Sequence, residues 1–339
     1  MNIISPNVWQ RNPKTALCRE GFGEGLVEEA KKNDKIVGLC CDLTDSTKMR
    51  QFADEFPKRF IEMGISEQNM IGVASGLALE GKIPVCASYA VFNPGRNWDQ
   101  VRISVCYQNT NVKILGAHAG LSVGPDGATH QALEDIASLR AIPNITILAP
   151  CDCEETKKAT IEMLKYKGPV YLRIPRETTP IITEKNTPFE IGKIQEFYRN
   201  DVPSPVGCNR GSVVIVATGP IIYEALLAAK VLAENDKENV IVLNCPTIKP
   251  LDEKNLLKFF ASAKLVVTAE EHQVIGGLGG AIAELLSEKH PLPLIRIGVN
   301  DSFGESGTPE ELAIKYGLTQ QQIYKKIAGF IKNYSNYPN

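Results

Sequence analysis

The chain has 339 residues, 43% hydrophobic and 22% charged, with a formal net charge of −2, the make-up of a globular protein of about two domains. No run of like charge invites nucleic acid or an anionic membrane surface. No apolar stretch nears the ~18 residues of a membrane span, and the start, Met-Asn-Ile-Ile-Ser-Pro-Asn, lacks the basic-then-apolar pattern of a secretory leader. Nine scattered cysteines show no Cys-x-x-Cys spacing; Cys151 and Cys153 form only Cys-x-Cys with no nearby His. They read as reduced thiols of a cytoplasmic protein.

Short apolar runs alternate with helical patterns. Residues 35–41 read as a buried strand, 68–79 as a small-residue helix ended by Gly81, and 83–92 as a strand. A helix is expected over 98–107, a strand over 112–118, a helix over 130–141 and a short strand over 146–150. Asp152 is placed to cap a helix over 153–166, and a strand follows at 170–174. This alternation predicts an α/β fold whose parallel sheet is covered on both faces. Residues 181–210, rich in proline, read as a linker with an edge strand near 189–197. A second α/β unit follows, with strands at 212–218, 240–243, 264–268 and 294–298 and a helix at 222–234. Thr308-Pro309-Glu310-Glu311 and the pair Thr319 and Gln322 are capping boxes opening the last two helices. The organisation is thus 1–180 and 211–339 as two α/β domains of parallel or mixed sheets, joined by 181–210.

Three clusters can carry chemistry. Glu67, in Gly64-Ile65-Ser66-Glu67-Gln68-Asn69-Met70, sits at a loop-to-helix junction. A carboxylate there is either a helix-start charge favoured by the dipole or, if buried, an acid–base group. Two of the four histidines, His118 and His130, flank a glycine-rich loop containing Asp126, at a strand end where ligands of parallel sheets collect. They are either loop caps or acid–base and hydrogen-bonding groups; no set of metal ligands at fixed spacing accompanies them. Arg19, Ser46 and Arg176 form a third candidate set, too far apart in sequence for spacing to show proximity. Gly276-Gly277-Leu278-Gly279-Gly280 looks like a dinucleotide loop but lacks Gly-x-Gly-x-x-Gly spacing and reads as close helix packing.

The strings GISEQNMIGVASGLALEGKIPVCASYAVF, GRNWDQVRIS and NVKILGAHAGLSVGPDGATHQALEDIASLRAIPN resemble the pyrimidine-binding domain of transketolases. EEHQVIGGLGGAIAE and DSFGESGTPEEL resemble the C-terminal domain of that family. The match runs from about Arg19 to Gly317 and is nearest to two-chain transketolases, whose small subunit is the C-terminal half. The resemblance implies thiamine diphosphate as cofactor and transfer of a two-carbon ketol unit between sugar phosphates. It implies that Glu67 bonds N1′ of the aminopyrimidine, that Phe92 packs on that ring, and that Asp42 stands near the thiazolium. It implies that His118, Asp126 and His130 hold the sugar hydroxyls and shuttle protons, and that Arg19, Ser46 and Arg176 hold the substrate phosphate. Where other transketolases place further aromatics, this chain has Ala90, Asn93 and Arg96; Arg96 is similar to an arginine of 1-deoxyxylulose-5-phosphate synthases and joins the cofactor-binding set.

Mg²⁺ seeks an octahedron of oxygens, supplied in this family by a Gly-Asp-Gly…Asn stretch that does not occur here. The 18 residues ahead of Arg19 are too few for another domain. The expectation is therefore a partner chain that carries the diphosphate and Mg²⁺ site, an α₂β₂ assembly, and no activity from this chain alone. Three rival classes remain: a 1-deoxyxylulose-5-phosphate synthase-like or 2-oxo-acid dehydrogenase β-chain-like subunit, a non-catalytic assembly subunit, and a nucleotide-dependent dehydrogenase resting only on the glycine run.

Overall fold

A computed structural model describes residues 3–200 and 211–334. A short strand β1 (Thr15–Leu17) and helix α1 (Cys18–Ala30) lead into β2 (Ile36–Cys40), α2 (Arg50–Glu55), β3 (Phe60–Glu62), α3 (Glu67–Leu79) and β4 (Ile83–Tyr89). Helical turn α4 (Trp98–Gln100) runs into a π-helical segment, Val101–Tyr107, and then β5 (Lys113–Ala117). After a 3-10 segment, Leu121–Asp126, come α5 (Asp135–Arg140), β6 (Thr146–Leu148), α6 (Cys153–Lys165), β7 (Val170–Arg173), β8 (Thr178–Pro180) and β9 (Gln195–Arg199). The remainder comprises β10 (Ser212–Ala217), α7 (Ile222–Asn235), β11 (Val240–Asn244), β12 (Thr247–Lys249), α8 (Glu253–Phe260), β13 (Ala263–Gln273), α9 (Leu278–Lys289), β14 (Leu294–Val299), α10 (Pro309–Lys315) and α11 (Gln320–Tyr334).

The first sheet has seven strands in the order β12-β6-β7-β5-β4-β2-β3, parallel except for β12. The second has five, β14-β13-β10-β11-β9, parallel except for β9. Continuous apolar strands are what a sheet covered on both faces requires, because successive side chains point to opposite sides. Ile114 and Tyr171 accordingly join a core with Leu39 and Met70, while their neighbours Leu115 and Leu172 join another with Phe22 and Phe52. The second sheet divides in the same way, Val213 and Ile215 on one face and Val214 and Val216 on the other. No described helix is long and apolar enough to cross a membrane.

Several expected bounds move. The helix expected over 130–141 is confined to Asp135–Arg140, because Ala132 is bridged to Ala119, its carbonyl accepting from the Gly120 amide at 2.9 Å; upstream, His118, Gly120, Gly124 and Gly127 adopt positive φ. The strand expected to reach 92 ends at Tyr89, so Phe92 lies in the turn beyond it. The helix expected over 98–107 becomes π-helical after its first turn. Of the expected linker, 201–210 lie outside the described residues; its edge strand is Gln195–Arg199, somewhat later than expected, and it pairs antiparallel with β11. The stretch 211–339 also gives β12 to the edge of the first sheet.

Local signals for the caps hold. Asp152 accepts from the Glu155 amide at the start of α6, Thr308 and Glu311 form the reciprocal capping box, and Thr319 donates to Gln322 from backbone and hydroxyl. The glycine run is occupied from within: the buried Glu270 carboxylate accepts the Leu278 and Gly279 amides, each at 2.7 Å, and so caps α9 where a dinucleotide loop would face phosphate.

Candidate active site

Five neighbouring parallel strands, β7-β5-β4-β2-β3, aim their carboxyl ends at one edge of the first sheet. The chain delivers a functional side chain just past each: Arg176, His118, Phe92, Asp42 and Glu67. This is the crevice where open α/β sheets bind ligands. Arg19 comes from α1, which lies close on α6 because Gly21 and Gly25 leave no side chain between them and the Cys153 and Lys157 carbonyls.

Glu67 opens α3 and its side chain is 2% exposed. Its Oε2 accepts from Arg96 Nη1 at 2.9 Å. The same guanidinium lies over the Phe92 ring, 4.5 Å from its centroid. The Arg96 side chain remains 47% exposed, so the pair joins a buried carboxylate to a cation that faces solvent. Phe92 also meets the edge of His130, with ring centroids 5.5 Å apart.

Tyr89 continues the contacts. It stacks on His118 at 4.0 Å and sits edge-on to His130 at 6.3 Å. Arg19 Nη1 stands 3.4 Å from His118 Nε2 and donates to the Ser46 carbonyl at 3.2 Å. A guanidinium has no acceptor, so His118 Nε2 accepts and the neutral ring carries its proton on Nδ1. Burial, reinforced by the charges of Arg19, Arg176 and His130, lowers the His118 pKa to about 3. His118 Nδ1 and Arg19 Nε are buried without partners among the described residues. Both are donors, and buried polar groups are rarely left so.

Arg176 donates to the Val123 carbonyl at 2.7 Å and pairs with Asp126 at 3.2 Å. His130 Nδ1 lies 2.9 Å from the Thr129 hydroxyl. Asp42 and Ser46 share a polar hollow of about 390 Å³ with Thr44, Arg50 and Glu62. Asp42 is held at φ 56° there while its amide donates to Glu62. The fold thus links Glu67, Arg96, Phe92, His130, Tyr89, His118, Arg19 and Ser46 through successive contacts. Arg176 and Asp126 sit on the loop side, and Asp42 sits in the adjoining hollow. Tyr89 was not among the expected site residues; its signal is an aromatic as the last residue of β4, where the strand delivers it to the crevice. Among the described residues, no group of three or more His, Cys, Asp or Glu side chains could hold a metal ion.

Residues 14–181 match the transketolase pyrimidine-binding domain, and residues 206–323 the transketolase C-terminal domain. The chain belongs to the transketolase family. That family depends on thiamine diphosphate. The chain is 46% identical over 312 residues to a putative transketolase C-terminal section of Methanocaldococcus jannaschii, spanning 91% of this chain and 94% of that one. It is 40% identical to a 6-deoxy-6-sulfo-D-fructose transketolase subunit of Clostridium sp., spanning 91% and 92%. Among solved structures, a split gene transketolase described as an inactive β4 tetramer superposes with a TM-score of 0.83 at 42% identity, over 92% of this chain and 97% of that one. The chain is accordingly a subunit of transketolase type.

The transketolase crevice offers what an aminopyrimidine needs: a buried carboxylate, an aromatic face, and orphaned donors beyond them. In this structure Arg96 occupies the first two together. A guanidinium is planar, donates to a carboxylate and stacks on a ring, so it satisfies both groups as an aminopyrimidine would.

Proposed function

We propose that this chain is the pyrimidine-binding half of a two-chain transketolase that moves a two-carbon ketol unit between sugar phosphates. The observation that carries the proposal is the Glu67 carboxylate, 2% exposed, reaching the Phe92 ring through Arg96 at the carboxyl ends of the strands. Thiamine diphosphate supplies the nucleophilic carbon and the electron sink. Glu67 would hold the proton at pyrimidine N1′, where only an acid–base group can shift the ring's protonation. Phe92 gives the ring its stacking surface, and Arg96 belongs to the same pocket. Asp42, from the neighbouring strand end, would stand near the thiazolium.

His118, kept neutral, donates from Nδ1 to the donor sugar, while His130 and Asp126 bond its hydroxyls and move protons. Arg19 and Arg176, with Ser46, grip the anionic end of the substrate with permanently charged planar donors. One relative is named for 6-deoxy-6-sulfo-D-fructose, a sugar whose anionic group is a sulfonate; phosphate and sulfonate both present tetrahedrally arranged oxygens to arginine.

The diphosphate and Mg²⁺ belong to a partner chain with a Gly-Asp-Gly motif, in an α₂β₂ assembly with two shared sites. The split gene transketolase described as an inactive β4 tetramer supports the need for a second kind of chain. The test is Glu67→Gln in the complex reconstituted with the partner and Mg²⁺. Hydrogen–deuterium exchange at the cofactor's C2 should slow by about 10²–10⁴-fold, the usual weight of one acid–base group. Near-normal exchange would remove Glu67 from the mechanism.

A further inference from the structure

Glu270, Glu271 and His272 are three consecutive residues at the far end of β13, in the part of the strand that outruns the expected 264–268. Each does a different thing. Glu270 caps α9, as described above. His272 Nε2 accepts from the Ala137 amide, at 3.4 Å, and so reaches α5 in the other half of the chain. Glu271 reaches further. Its Oε1 accepts from the Ser122 amide at 2.6 Å, in the loop that carries Asp126 and His130.

Three features show that this contact is built in. The Glu271 carbonyl is itself held, accepting from Arg173 Nη2 at 2.9 Å, and Arg173 is fixed in turn to Asp135. The adjacent Gln273 amide donates to the Leu133 carbonyl at 2.8 Å, so the strand end runs alongside the exit of the loop. Gly120 has φ 86°, and a Cβ there would overlap the Glu271 carboxylate; only glycine lets the loop take this shape and the carboxylate come this close. The loop's glycines bend it freely, and within the 3-10 segment Gly124 is non-helical. A charged acceptor at the Ser122 amide sets where that segment stands.

We propose that Glu271 is a positioning residue for the substrate loop: the C-terminal half of the chain, through one carboxylate, places Asp126 and His130 for the donor sugar. The inference rests on the assignment of those two residues to the sugar. In this role Glu271 acts through the Ser122 amide.

The experiment compares Glu271→Ala, Glu271→Asp and Glu271→Gln with His130→Ala, in two measurements. The first is amide hydrogen exchange on the full chain. Glu271→Ala and the shortened Glu271→Asp should speed exchange across residues 119–131 at least tenfold, with the strands of both sheets unchanged; Glu271→Gln, which keeps the acceptor, should restore protection. The second is steady-state kinetics of the reconstituted complex with a ketose phosphate donor. Glu271→Ala should raise donor KM by about tenfold to a hundredfold, the weight of one charge-assisted hydrogen bond, with cofactor binding within about threefold. Unchanged loop exchange in both Glu271→Ala and Glu271→Asp overturns the positioning role. So does a normal donor KM in these variants when His130→Ala raises it. If His130→Ala leaves donor KM unaltered, the sugar-binding assignment fails, and the exchange result alone still decides whether Glu271 holds the loop. Should Glu271→Ala not fold, Glu271→Asp and Glu271→Gln carry both measurements.

Discussion

Arg96→Ala tests the pairing at the centre of the site. The substitution strips the guanidinium from a carboxylate that is 2% exposed, while Arg96 itself is 47% exposed. Breaking a fully buried pair costs about 3–5 kcal/mol, and a surface pair is worth about 0–1 kcal/mol. Here one partner is desolvated and the other is not, so the loss should be about 1.5–3 kcal/mol, the range of a hydrogen bond to a charged group. Most of it comes from leaving Glu67 buried and charged. Glu67→Gln removes that charge, so Arg96→Ala made in the Glu67→Gln background should cost far less. Urea unfolding of the four chains closes a double-mutant cycle, with an expected coupling of about 1–2 kcal/mol. Additive effects, to within about 0.5 kcal/mol, would mean that the carboxylate does not depend on Arg96 and that the guanidinium is not its stand-in partner.

Arg19→Ala and Arg176→Ala should each lower kcat/KM for phosphorylated donors by about tenfold or more relative to hydroxypyruvate, since a charge-assisted bond to phosphate is lost; equal losses on both donors would mark the arginines as structural. His118, held near 3, should stay neutral in the folded chain between pH 5 and 8, and its ring nitrogens should not titrate there by NMR. The unfolded chain, with His near 6.5, binds a proton in this window that the folded chain does not, so His118 destabilises progressively as pH falls from about 6.5. Glu155 and Glu270, raised by burial to about 7, act with the opposite sign. The measurement is therefore a difference: relative to His118→Gln, the parent should lose about 2 kcal/mol between pH 6.5 and 5, and a flat difference would contradict the neutral ring. Calorimetry of thiamine diphosphate into the isolated chain should show weak binding, made tight only by adding the partner with Mg²⁺; micromolar, Mg²⁺-dependent binding with turnover by this chain alone would overturn the two-chain assignment.

Local pattern made much of this protein legible. Strands buried on both faces need unbroken apolar runs, and those runs stand out at 36–40, 113–117, 170–173 and 212–217. Helix starts need side chains that satisfy free amides, which is why Asp152 and Thr308 mark theirs and Gln322 turns back onto the Thr319 amide. Glu67 at a helix start, and histidines either side of a glycine loop, were visible because the glycines and the helix announce themselves within a few residues. Family likeness then gave roles to these positions, and the match of both halves to transketolase domains established the family.

What needed the tertiary structure are the relations between distant residues. Spacing carries nothing about Arg19 meeting His118 across 99 positions, or about Arg176 reaching Asp126 back across the loop; the order of strands in the sheet decides both. The pairing of Arg96 with Glu67 depends on a turn after β4 that a strand pattern runs straight through. The helical pattern after His130 was overridden by the bridge between Ala132 and Ala119 and by the Leu133 carbonyl accepting from the Gln273 amide of the other half of the chain. Glu270, Glu271 and His272 read in sequence as a polar end to a strand. The fold of the C-terminal half makes Glu270 a cap, and the packing of the two halves makes Glu271 a loop anchor and His272 a bridge, because each of those bonds is made to a backbone amide, and an amide's position is set by the fold rather than by its residue type.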